Sequence, residues 1–174
     1  MDNFSNHQQL LDYTTSSLNT LQKLAEYFEQ KNTSAYRDPI GSHIRHLIEH
    51  YEALIYSNTF SVDYDARQRD EVLEEKPPEA ILRINALIQR LQVWTSLDID
   101  RPISVNALGG QIGENVFTTT SSVGRELCFL NSHAVHHLAI LKPACQKLGM
   151  AVDEYFGFAP STIAYLESQK LEVL

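Results

Sequence analysis

The sequence predicts an all-α protein, a four-helix bundle with long crossover connections, a small hairpin-like insertion before the last long helix and a short C-terminal helix. Three observations lead there. Four long stretches carry apolar residues at spacings of three to five, the rhythm of one helix face. The 174 residues fit a single domain spanning 1–174, long enough to bury a core without staples. Hydrophobic residues at 43% and charged residues at 21% match an ordinary globular chain.

The first helix is expected from about Ser5 to Lys31, with Leu10, Tyr13, Leu18, Leu21, Leu24, Ala25 and Phe28 on its apolar face. Asp38-Pro39 opens a second helix, because proline tolerates a first turn. Ile40, Ile44, Leu47, Ile48, Tyr51, Leu54 and Ile55 carry it to about Tyr56. Val62 to Glu71 is charged and poorly periodic, a long connection of the sort that holds function or irregular structure. Pro77-Pro78 starts a third helix, ending near Leu97. Two β-prone runs, Pro102 to Asn106 and Glu114 to Thr120, flank Gly109-Gly110 and read as a hairpin. A lone hairpin is marginal, so this one must rest on the helices. The fourth helix runs from about Ser122 to Leu148, with Ser121 or Ser122 as N-cap and Gly149 as its stop. Pro143 lies inside it and predicts a kink. Pro160-Ser161-Thr162 opens the terminal helix, through about Gln169.

Charge and composition exclude several roles. The net charge is −8, from 14 Lys and Arg against 22 Asp and Glu, which disfavours nucleic acid. No apolar run reaches the ~18 residues of a membrane span, so no membrane partner is expected. The first seven residues lack a basic start and apolar block. The two cysteines, Cys128 and Cys145, make no disulfide framework and read as small core residues. A cytoplasmic location is the expectation.

Histidine is the anomaly. Six of the seven fall in two clusters, His43, His46 and His50 in the second helix and His133, His136 and His137 in the fourth. Residues four apart differ by only about 40° around a helix. His46 and His50 therefore share a face, as do His133 and His137. A single histidine on an apolar face is usually a satisfied core residue. Two His-x-x-x-His pairs on separate helices of one bundle point to a metal site. Two ligands from one turn and a third from a facing helix leave open positions, as catalytic zinc sites have. No glutamate is followed three residues later by histidine, so the di-iron carboxylate pattern is absent. Glu49 and Glu126 are the carboxylates near the histidine faces.

These residues resemble the DinB-like (YfiT-type) metal-dependent superfamily. The matching segments are Ile40-Gly41-Ser42-His43-Ile44-Arg45-His46-Leu47 and His133-Ala134-Val135-His136-His137. The chain departs where the family often continues with Arg-Gly-Gln, having Leu138-Ala139-Ile140, and Ser132 stands where Asn is usual. The resemblance implies His46, His133 and His137 as ligands of a divalent ion, Zn or Ni. His50, His43 and His136 are then additional or supporting residues. It also implies a transferase-like or hydrolase-like enzyme with a small-molecule substrate and a low-molecular-weight thiol as cosubstrate. A homodimer is expected on separate grounds, because helical bundles of this size often pair through an exposed face and two-fold dimers are the commonest soluble oligomers. The rival expectation is a non-catalytic metal-binding or sensor protein, with His50 or His43 closing the coordination.

Four arginines, Arg45, Arg67, Arg69 and Arg125, suit a ligand carboxylate. With Asp63, Asp65, Asp70 and Glu71 nearby, solvated loop ion pairs are their expected role. Tyr13, Tyr51 and Tyr64 are candidates to line a pocket or donate a proton, and helical spacing assigns Tyr13 and Tyr51 to the core.

Overall fold

A computed structural model describes residues 3–31 and 34–171. The chain is mostly helical. Helix α1 (Asn3–Lys31) leads through a 3-10 turn (Ser34–Tyr36) and an irregular turn (Arg37–Gly41) into α2 (Ser42–Ile55). Asp38 has extended dihedrals inside that turn, so α2 begins three residues after Pro39 rather than at it. The strand β1 (Ser61–Asp63), the short α3 (Glu71–Glu75) and α4 (Pro77–Leu91) follow. Then come α5 (Ser96–Asp100), β2 (Pro102–Gly109), β3 (Asn115–Ser122), α6 (Val123–Lys147) and α7 (Pro160–Leu171).

The long helices pack through their apolar faces. Helix α1 lies against α4 and α6, and α2 lies against the same two. Leu18, Leu21 and Phe28 of α1 meet Ile44, Ile48 and Tyr51 of α2, Ile84 and Leu87 of α4, and Leu127, Leu130 and Leu141 of α6 in one buried core. Burying side chains of this size contributes roughly 1.5–3 kcal/mol each, which fixes the helix faces. The consequence for function is that α2 and α6 are direct neighbours.

The expected hairpin forms. Strands β2 and β3 pair antiparallel from Pro102 with Ser122 to Gly109 with Asn115. It rests on the helices through Ile103 and Val105, while β3 is largely exposed. A third strand, β1, pairs parallel to β2, so the fold contains a small sheet beyond the expected hairpin. Three residues are too few for periodicity to announce. The third helix also stops early, at Leu91. The apolar rhythm continues through Trp94 and Leu97, but Thr95 and Asp98 form a reciprocal capping box that starts α5. Ser122 caps α6 as expected, accepting from Arg125 N. Helix α6 runs unbroken across Pro143 to Lys147.

Two core assignments are corrected. Tyr13 is 38% exposed and Cys128 is exposed, whereas Cys145 is buried. Tyr51 is buried as expected, and its hydroxyl needs a partner there. It donates to Asn131 Oδ1 at 2.9 Å, and Asn131 Nδ2 donates to Thr14 Oγ1 at 3.0 Å. The hydroxyl of Thr14 donates to the Leu10 carbonyl. This chain ties α2, α6 and α1 together. Replacing Asn131 with Ala strands the Tyr51 hydroxyl, and the expected loss is roughly 2–4 kcal/mol by urea denaturation.

Candidate metal centre

Helix neighbours bring the two histidine clusters into contact. Each lies in a helix pinned by apolar residues on its own flank: Ile44, Leu47 and Ile48 in α2, and Leu130, Ala134 and Leu138 in α6. His43, His46, His133 and His137 occupy the partly buried edge of those faces, and His50 is buried. His46 Nε2 lies 2.9 Å from His133 Nε2, and His137 Nε2 lies 3.2 Å from the same atom. His43 Nδ1 is 2.6 Å from His137 Nδ1. Ring nitrogens of His46, His50 and His133 all lie within 4.8 Å of one another. Two overlapping trios therefore share His46 and His133, with His137 or His50 as the third member. His136 is exposed, its ring 6.4 Å from that of His133.

A neutral imidazole offers one N–H and one in-plane lone pair. Without a cation, His46 and His137 compete for one lone pair on His133. A cation resolves the conflict by accepting a lone pair from each ring. A zinc–nitrogen bond of about 2.0–2.1 Å places tetrahedral ligands about 3.3 Å apart, close to the observed spacings. The donor set fits a divalent ion of the kind imidazole prefers.

The surroundings assign roles to the other rings. His50 Nδ1 lies 2.6 Å from the His46 carbonyl, which can only accept, so Nδ1 carries the proton. Arg67 NH1 lies against the same ring, 2.8 Å from Nδ1 and 2.5 Å from Nε2; with Nδ1 protonated, the Nε2 lone pair is the one left to accept from it. His137, by contrast, can donate Nδ1–H to His43 Nδ1 and turn its Nε2 lone pair inward, the arrangement that orients metal-ligating histidines. His137 is thus the better third donor and His43 its orienting partner.

Electrostatics keep the rings neutral. Burial, then the neighbouring rings His50 and His137, pushes His46 down to about 2. Burial, then His133, pushes His137 down to about 3. Burial pushes His50 down to about 4, with Arg67 adding to the effect. His43 and His133 are also lowered, mainly by burial. Neutral imidazole is the ligating form. Because the unfolded chain titrates near 6.5, it takes up protons first as pH falls. Without metal, stability is therefore full above about pH 7 and is lost as pH falls below about 6.5. With allowance for partial exposure, His46, His50 and His137 should each withdraw roughly 1 kcal/mol between pH 6.5 and 5. Urea midpoints in chelator across that range check this; a flat profile contradicts it.

Neither nearby carboxylate is free to ligate. Glu49 is buried; it accepts from Asp70 N at 2.8 Å and from Arg45 NH1 at 2.9 Å. Glu126 accepts from the Tyr64 hydroxyl at 3.0 Å and from Ser121 Oγ at 2.6 Å. The arginines depart from expectation. Arg69 and Arg125 are exposed, but Arg45 bridges Glu49 and Glu74, and Arg67 leaves the loop acids for His50. Asp63 instead accepts from Asp65 N and Ala66 N, and Asp70 caps α3.

Two aromatic rings complete the surroundings. Tyr64 stacks on His50 with centroids 5.6 Å apart, and Phe129 stacks on His133 at 5.7 Å. Sequence reading missed Phe129, although its position four residues before His133 places it on the same helix face.

No protein family profile matches the chain, and no solved structure matches it. A curated protein named FK506-binding protein 5, from Rhizopus delemar, is 32% identical over 108 residues. The match takes in 62% of this chain and 28% of that protein, so this chain spans little more than a quarter of its relative's length. Among the described residues no helix is long and apolar enough to cross a membrane.

Proposed function

We propose that His46, His133 and His137 hold one divalent cation, Zn or Ni, and that the chain is a metal-dependent enzyme of the DinB-like kind. In this reading α1, α2, α4 and α6 form its four-helix bundle. The observation that carries the proposal is the approach of two Nε2 atoms, from His46 and His137, to a third on His133. When bound, such an ion lowers the pKa of a coordinated thiol or water and holds the resulting anion as a nucleophile. That chemistry suits a thiol-dependent transferase or a hydrolase acting on a small molecule, on a homodimeric protein. His43 orients His137 through the Nδ1 contact. Tyr64 and Phe129 present rings against His50 and His133, giving the centre an apolar rim. The FK506-binding name of the Rhizopus protein plays no part in this reading.

A second reading rests on His50, whose ring nitrogen completes a trio with His46 and His133. If His50 joins the other three, four imidazoles close the site, which suits a sensor or storage protein. Titrating chelator-treated, untagged protein with cobalt separates the two. The enzyme reading expects one ion per chain and a visible spectrum that shifts when a thiol is added. A spectrum indifferent to thiol favours the closed site, and binding below about 0.2 ions per chain overturns both.

A further inference from the structure

Arg67 sits where an ordinary metal centre has no use for a cation. Its side chain is 12% exposed, and NH1 bonds His50, whose ring centroid is 4.1 Å from that of His46 and 4.8 Å from that of His133. Its Nε is buried and has no hydrogen-bond partner among the described residues. Two carboxylates act on it: Glu49, 3.9 Å away and already engaged by Arg45 and by Asp70 N, and Asp65, which accepts from Leu108 N.

The position is built rather than incidental. The loop carrying Arg67 is tied at one end by Asp63, which accepts from the backbone of Asp65 and Ala66, and at the other by Asp70 N on Glu49. A guanidinium held on His50, whose ring packs against His46 and His133, two of the three imidazoles that would share a divalent ion, adds positive charge to positive charge. Burying like charges together is costly unless an anion joins them. A second place for that anion is unfavourable. A cavity of about 530 Å³ that Arg67 also lines has Glu49, Glu52, Asp63 and Asp70 against Arg67 and Arg83, and its excess of carboxylates repels anions.

Resting on the three-histidine reading above, we infer that Arg67 is the specificity-determining residue of this centre. It receives the carboxylate of a small thiol whose sulfur binds the cation. The unpartnered Nε belongs to the planar fork that matches a carboxylate. His50 is then the residue that positions Arg67, and its own lone pair is spent on that guanidinium rather than on the metal.

The test uses the cobalt-loaded full chain and two probes, mercaptoacetate and its neutral amide, mercaptoacetamide. Each binds as a thiolate, its proton passing to the buffer, and the sulfur-to-cobalt absorption band reports occupancy. Arg67→Gln removes the charge, and Arg67→Lys keeps the charge without the fork. Comparing the ratio of the two probes between variants cancels their different thiol acidities. The expected result is that this ratio drops roughly 10- to 100-fold in favour of the amide in Arg67→Gln, with Arg67→Lys intermediate. The band itself persists in both variants. An unchanged ratio in a folded Arg67→Gln, or in Arg67→Lys where the glutamine variant does not fold, overturns the role of Arg67 and leaves the metal centre standing. No sulfur-to-cobalt band with either probe on a cobalt-loaded unaltered chain overturns the role of Arg67 together with the open three-histidine reading and leaves the closed site.

Discussion

His133→Ala should abolish metal binding while leaving the metal-free protein close to its original stability. His133 Nε2 is the atom that both other rings approach, so its loss removes the shared vertex of both possible trios. Zinc affinity is expected to fall by more than about 100-fold, beyond the range found when only a supporting residue is lost. Stabilisation by zinc goes with it. At a free concentration 100 times the dissociation constant that stabilisation is about 2.7 kcal/mol, readable as a shift in melting temperature. The metal-free change should stay within about 1 kcal/mol, because the ring is only half-buried and its lone pair is contested. His136→Ala is the control: that ring is exposed, and zinc affinity should change by less than about threefold. If His133→Ala still melts higher with zinc, or loses several kcal/mol without it, the ring's role is packing.

Gly41→Ala should be among the most destabilising single substitutions in the chain. On propensity alone it ought to help. Gly41 has φ −62 and ψ −40, ordinary helical values, where alanine is favoured over glycine by about 1 kcal/mol. Packing opposes this. A Cβ at position 41 would overlap the main-chain carbonyl oxygen of Glu74 and lie 2.9 Å from the Tyr36 ring. Neither gives way easily, since Tyr36 is buried and its hydroxyl donates to the Leu73 carbonyl. The steric term wins, and the expected cost is about 2–4 kcal/mol. The strain also passes toward the centre. Moving α3 displaces Glu74 from Arg45, which braces Glu49, which holds Asp70 in the loop bearing Arg67. Urea denaturation checks the cost, and equal or greater stability for the alanine variant contradicts it.

The sequence announced what periodicity can carry. Apolar spacing located all four long helices, and the i, i+4 rule put His46 with His50 and His133 with His137. Helix packing then supplied the contact between clusters 87 residues apart. What was not legible has two sources. Short elements lack a period: β1 has three residues and α3 has five. Capping chemistry overrode apolar rhythm at Thr95, splitting one expected helix into α4 and α5. The site's second layer was hidden for a different reason. Four acidic residues beside Arg67 in sequence suggested loop ion pairs, yet Asp63 accepts from backbone N–H groups, and Asp70 accepts from Val72 N with one oxygen and pairs with Arg83 through the other. Local backbone capping thus released Arg67 to a partner 17 residues away, something no local pattern encodes. Gly41 shows the converse. Its place five residues before His46 was visible, but the reason for glycine, the approach of Glu74, required the third dimension.

X-ray absorption at the zinc edge, on untagged protein loaded with one equivalent of zinc, tests the central claim most directly. Three imidazole ligands with Zn–N at about 2.0–2.1 Å are predicted, with one further light ligand that mercaptoacetate replaces by sulfur at about 2.3 Å. A first sphere of fewer than two imidazoles, or one dominated by carboxylate oxygen, would contradict convergence of the two histidine pairs on a single ion.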